Sequence, residues 1–156
     1  MTTGIKGNMP DILAFLLRPQ IDALPYSHAK RTANAKRYMD ELIGLDIKFP
    51  TVDPDTIHAW HTFAIGVDPK IRSQVLTALD KKGIRSTIHY KPISQMKHFA
   101  EKYGYTKDDY PVSTDWGKST FSLPIFADLS VNEQDYVIKS LKEVITSVKT
   151  SSDHLC

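Results

Sequence analysis

Apolar positions along this sequence recur with two periods, about 3.6 and about 2 residues, and the switches between them divide the chain into elements. Near the start, Asn8, Pro10 and Asp11 precede Ile12, Leu13, Leu16, Leu17 and Ile21. Asparagine caps a helix well, proline suits the first turn, and an aspartate there complements the helix dipole. A helix is therefore expected from about Asn8. Its strongly apolar character predicts burial, with a kink where Pro19 removes a backbone donor. A second helix is expected over residues 27–43. Its stripe is Ala35, Tyr38, Met39 and Leu42, its other face carries Lys30, Arg31, Lys36 and Arg37, and Gly44 ends it.

After a proline-bearing connection, residues 60–67 are aromatic and β-branched and read as a strand. Asp68-Pro69 opens a helix with Ile71, Val75 and Leu79 that stops at Gly83. Residues 86–90 read as a second strand and 95–103 as a short amphipathic piece. A loop rich in Asp, Tyr and Pro then leads to a helix near 113–119, followed by a short strand over 121–124. Ser130 and Glu133 have capping-box spacing before a last helix with Val137, Leu141, Val144, Ile145 and Val148. The polar stretch from Thr150 is expected to be disordered. This order gives an α+β class, a small sheet covered on one face by helices. One domain is expected over 1–149, with 150–156 a tail.

Composition narrows the function classes. The chain has 156 residues, enough for one core. A net charge of +2 is too small to argue for a nucleic-acid partner. No apolar run approaches the roughly 20 residues of a membrane span, and the start of the chain lacks a charged-then-apolar signal peptide. The single cysteine, Cys156, cannot form an internal disulfide. These features make the cytoplasm the expected compartment, with neither nucleic acid nor membrane as partner.

No nucleophile elbow, phosphate-binding glycine loop or cysteine-rich metal pattern is present. His58 and His61 lie three apart, a metal spacing on a helix but not on a strand, where the two face opposite sides. No metal ligands are assigned. Three places stand out. Lys6-Gly7-Asn8, at a helix start, suits a phosphate, although an ordinary capped helix explains it at least as well. Ile88-His89-Tyr90-Lys91-Pro92 puts three polar groups at a strand end, where either a functional cleft or a plain amphipathic strand is consistent. In Trp60-His61-Thr62-Phe63 the two aromatic residues read as core, and His61 is open.

Taken in order, these segments resemble one family. Gly4-Ile5-Lys6-Gly7-Asn8-Met9-Pro10-Asp11-Ile12, then Arg31, Ala35 and Tyr38, then Ala59-Trp60-His61-Thr62-Phe63, are similar to successive motifs of the DegT/DnrJ/StrS sugar aminotransferases. So are Gly83-Ile84-Arg85-Ser86-Thr87-Ile88-His89-Tyr90-Lys91-Pro92 and the closing Leu123-Pro124-Ile125-Phe126 with Leu129-Ser130 and Glu133-Gln134. The resemblance implies the small C-terminal domain of the type I aminotransferase fold, α+β with a short, mostly antiparallel sheet packed with helices. It implies pyridoxal phosphate as cofactor, a nucleotide-sugar substrate, amino transfer typically from glutamate, and a homo-oligomer with sites shared between subunits.

By this resemblance, Lys6 and Asn8 approach the cofactor phosphate of the neighbouring subunit. His61, His89, Tyr90 and Lys91 line the substrate side. The larger domain, with the lysine that binds the cofactor covalently, has no counterpart in these 156 residues. No catalytic residue is therefore assigned, and the chain is expected to be inactive without that domain or a full-length relative, as a split, truncated or excised piece. The alternative is a non-catalytic module that binds a nucleotide sugar or dimerises. Two departures bear on the site. Ser94 stands where many relatives have a histidine, and Lys6 stands where many have an asparagine.

Overall fold

The computed structural model describes residues 7–153, with side chains through residue 150. Two consecutive helices open the chain, α1 (Asp11–Asp22) and α2 (Leu24–Glu41). They are followed by β1 (Phe63–Gly66), α3 (Arg72–Lys81), a 3₁₀ turn (Ile93–Gln95), α4 (Lys97–Tyr103), α5 (Pro111–Ser119), β2 (Thr120–Leu123) and α6 (Val131–Asp153). The strands pair antiparallel, with Phe63 opposite Leu123 and Gly66 opposite Thr120. Single bridges widen this ribbon on both edges, Lys48 against Gly66 and Thr87 against Ser122. The class is α+β, as expected.

The core lies where the stripes of α2, α3 and α6 meet the sheet. Ala35, Tyr38 and Leu42 of the α2 segment are completely buried, as are Phe63, Ile65, Val75, Leu79, Phe121 and Leu141. Tyr38 stacks on Phe63 with ring centroids 5.1 Å apart, and its hydroxyl donates to the Pro124 carbonyl at 2.9 Å. α6 buries Val137, Leu141, Val144, Ile145 and Val148, the stripe read from the sequence, together with Ile138 and Gln134. Gln134 is tolerated inside because its amide donates to the Asn34 carbonyl at 2.8 Å. The capping box closes as expected. The Glu133 carboxylate accepts from the Ser130 N–H and hydroxyl, and the Glu133 N–H donates back to Ser130.

Several expectations need correction. α1 buries no residue: Ile12 is 73% and Phe15 72% exposed. An apolar helix is buried only if something covers it, and among the described residues nothing buries a side chain of α1. The cap of α1 is Pro10 and not Asn8, and no side chain closes it. The helix runs through Pro19 and ends three residues later. α2 starts at Leu24 and not near 27, because Pro25 fits the first turn, where no intrahelical donor is needed. The first strand begins only at Phe63. Trp60 has φ of 47°, in the left-handed region that bulky side chains avoid, so the extended run cannot include it. The strand expected over 86–90 shrinks to the Thr87–Ser122 bridge. β2 has four residues, and only alternate ones present groups to that edge. α6 continues past Thr150, whose hydroxyl donates to the Thr146 carbonyl, as far as Asp153.

Candidate functional site

The six residues singled out from the sequence fall in three places. Lys6 lies outside the described residues. Asn8 is exposed just ahead of α1. Its amide and the uncapped first-turn N–H groups of α1 suit a phosphate chemically.

His61 and His89 share a shallow cleft of about 190 Å³ with Arg85, Thr87 and Ser122. His61 is exposed and follows the strained Trp60, whose N–H donates to His58 Nδ1 at 3.0 Å. That bond occupies one nitrogen of His58, and among the described residues no group of three His, Cys, Asp or Glu could hold a metal ion. His89 is half-buried. Its Nδ1 sits 2.9 Å from the Ser122 hydroxyl on β2, which fixes the ring against the sheet.

Tyr90 and Lys91 turn into a different cleft of about 450 Å³. Pro92, Ile93 and Ser94 form its floor, and Tyr105, Tyr110 and Ser113 line the rest. His89 lines one cleft and the adjacent Tyr90 the other, with their rings 4.7 Å apart, so the clefts meet at this pair. The floor is tied down. Gln95 Nε2 donates to the Thr114 hydroxyl at 2.8 Å, and that hydroxyl donates to the Lys107 carbonyl at 2.8 Å. Pro92 lies so close over Gly117 that a Cβ there would stand 2.5 Å from Pro92 Cδ. Tyr105 and Tyr110 meet edge to face at 5.5 Å, and their hydroxyl contact holds the Tyr105 pKa above its ordinary value.

Arg85, Tyr105, Tyr110 and Ser122 were not identified as site residues from the sequence. Arg85 lies within segment 83–92, and the tyrosine density of the loop around residue 105 is the available signal for Tyr105 and Tyr110; Ser122 carries no such signal. A larger, mainly apolar cleft of about 650 Å³ runs between Ile84, Phe126, Leu129 and Tyr136. Arg85 and Thr87 of the histidine cleft also line it.

The model of the DegT/DnrJ/EryC1/StrS aminotransferase family matches residues 1–142. The chain belongs to this family. It is 31% identical over 150 residues to the spore coat polysaccharide biosynthesis protein SpsC of Bacillus subtilis (strain 168), covering 91% of this chain and 38% of SpsC. The apo form of Spr1654 from Streptococcus pneumoniae, a protein assigned as a sugar aminotransferase, superposes with a TM-score of 0.86 at 29% identity. That match covers 94% of this chain and 37% of Spr1654, which is also known in PLP and PMP forms. DesV of S. venezuelae gives a TM-score of 0.85 at 26% identity over 92% of this chain and 38% of DesV. The fold is thus that of part of a type I aminotransferase, and the chain spans less than two-fifths of the relatives it matches. Among the described residues no helix is long and apolar enough to cross a membrane.

Proposed function

We propose that this chain is the C-terminal part of a pyridoxal-phosphate-dependent nucleotide-sugar aminotransferase, moving an amino group from a donor such as glutamate to a keto-sugar nucleotide. Residues 1–149 would be its small domain, working in a homo-oligomer. The observation that carries this reading is the segment from His89 to Ser94, which belongs to a family motif and joins two clefts. His61, His89, Tyr90 and Lys91 would face the substrate. With His89 held by Ser122, its other ring nitrogen is left for a ligand oxygen. Lys91 would act as a flexible point charge toward phosphate.

When bound, the cofactor supplies the electron sink of the reaction. This chain's part is to orient the sugar and, through Lys6 and Asn8, to present donors to the cofactor phosphate. The exposed face of α1 supports the larger domain of the same enzyme as its cover, since the relatives extend well beyond this match.

No lysine here is assigned to hold the cofactor, so the 156-residue chain alone is expected to show no transamination. Incubation with pyridoxal phosphate, borohydride reduction and mass spectrometry should give no stoichiometric adduct at one lysine. Such an adduct, accompanied by turnover of glutamate, would overturn the assignment of this chain as the incomplete part.

A further inference from the structure

His61 reaches its cleft from a backbone turn that its neighbours do not favour by themselves. Trp60, immediately before it, has φ of 47°, a conformation that costs a bulky residue free energy and persists only where the surroundings over-determine it. Those surroundings come largely from α2. His28 and Arg31 stand three positions apart on that helix and so share one face. His28 Nε2 donates to the His58 carbonyl at 3.0 Å, and Arg31 Nε donates to the next carbonyl, that of Ala59, also at 3.0 Å. His58 Nδ1 in turn accepts from the Trp60 N–H at 3.0 Å.

The peptide joining Ala59 to Trp60 is planar, so its orientation is set once both of its polar ends are bound. Arg31 binds its carbonyl and His58 binds its N–H. The indole is fixed as well. Trp60 is only 6% exposed, and its ring lies 4.2 Å from that of His58 and 6.0 Å from that of Phe63 on β1. His61 is the first side chain beyond this anchor, exposed and lining the cleft with Arg85 and His89. Among the described residues no hydrogen bond holds the His61 ring itself, so its direction is inherited from the backbone that carries it.

We propose that His28, Arg31 and His58 are positioning residues that hold the left-handed turn at Trp60 and thereby aim the His61 imidazole into the cleft. This rests on the reading above in which His61 faces the substrate, and it adds what keeps His61 there. The three residues act through the backbone of residues 58–60 and not on the ligand. An asparagine at position 58 can take over the bond to Trp60, because its side-chain carbonyl accepts the N–H two residues on, whereas alanine cannot.

The test uses the ¹⁵N-labelled 156-residue chain, UDP-glucose as the probe, and the variants His58→Ala, His58→Asn, Arg31→Met and His61→Ala. A strong nuclear Overhauser cross-peak between the Trp60 amide proton and its own Hα reports the positive φ. It is expected in the parent and in His58→Asn, and weakened in His58→Ala and Arg31→Met, with the amide shifts of the α3 and α6 core unchanged. UDP-glucose binding should weaken about three- to tenfold in His58→Ala and Arg31→Met, and stay within about twofold of the parent in His58→Asn. In the His61→Ala background, adding His58→Ala should cost less than about twofold, because its effect passes through His61. An equal loss with and without His61, or an unchanged Trp60 signal in both His58→Ala and Arg31→Met, would overturn the positioning role and leave the substrate reading standing. Parent-like affinity in His61→Ala, or no saturable binding by the parent, would overturn the substrate-facing reading of His61 and this role with it.

Discussion

Two tyrosines show how environment sets the meaning of one residue type. Tyr38 is fully buried and hydrogen-bonded to the Pro124 carbonyl, and burial pushes its pKa up, only partly opposed by the Arg37 charge. Tyr90 is two-thirds exposed and lines a cleft, so it is not a core aromatic. Tyr38→Phe should destabilise the fold by about 1 kcal/mol through the lost hydrogen bond, whereas Tyr90→Phe should stay within about 0.5 kcal/mol of the parent. The pH dependence separates them further. Because the folded pKa of Tyr38 lies above the unfolded value of about 10, its contribution is complete below pH 10 and is lost as pH rises beyond it. Tyr38→Phe should flatten that alkaline limb, which melting curves between pH 8 and pH 11 would show. An unchanged limb would mean that Tyr38 does not control it.

At the scale of elements, the cleft depends on a contact between a turn and a helix that are distant in sequence. The 3₁₀ turn is seated on α5 by Pro92 over Gly117, and Arg72 of α3 holds the Gly117 carbonyl at 2.6 Å. A methyl group at Gly117 would stand 2.5 and 2.6 Å from two proline ring carbons, and the ring cannot swing aside as a flexible side chain does. Gly117→Ala should therefore lower stability by about 1–3 kcal/mol and displace the Lys91–Ser94 floor. Urea unfolding would report the first effect, and amide shifts at Lys91 and Ser94 in the folded variant would report the second. Parent-like values in both would show that α5 yields without moving the turn. Ser94→Ala should lack this stability loss, because the Ser94 hydroxyl has no hydrogen-bond partner among the described residues.

At the scale of the whole molecule, α1 presents an uncovered apolar surface among the described residues. Ile12, Leu13, Phe15, Leu16 and Ile21 of α1 are all more than half exposed. A contiguous apolar face of this kind favours association unless something covers it. The isolated chain is expected to self-associate and bind a hydrophobic dye at high concentration. The double change Phe15→Lys, Leu16→Glu should shift it to monomer with little effect on melting, since neither side chain is in the core. Sedimentation velocity on both forms tests this, and a clean parent monomer without dye binding would count against the face being adhesive.

The elements most legible in the sequence are those fixed by short-range geometry. The stripes of α2, α3 and α6 and the Ser130–Glu133 capping box involve partners three to eight residues apart, so periodicity and helix chemistry were enough to read them. The ordered motifs likewise identified the family, because they are contiguous words. Tertiary structure decided whatever depends on distant groups. Apolar pattern alone could not tell a helix covered by its own chain from one awaiting cover, so α1 was misplaced in the core. Strand composition could not foresee the left-handed backbone at Trp60 or how little edge β2 leaves for residues 86–90. Only folding brought Tyr105 and Tyr110 opposite Lys91, parted His61 and His89 from Tyr90 and Lys91, and left the Ser94 hydroxyl without a partner. The physical reason is that hydrogen-bond satisfaction and exposure belong to a neighbourhood in space, which one stretch of sequence does not contain.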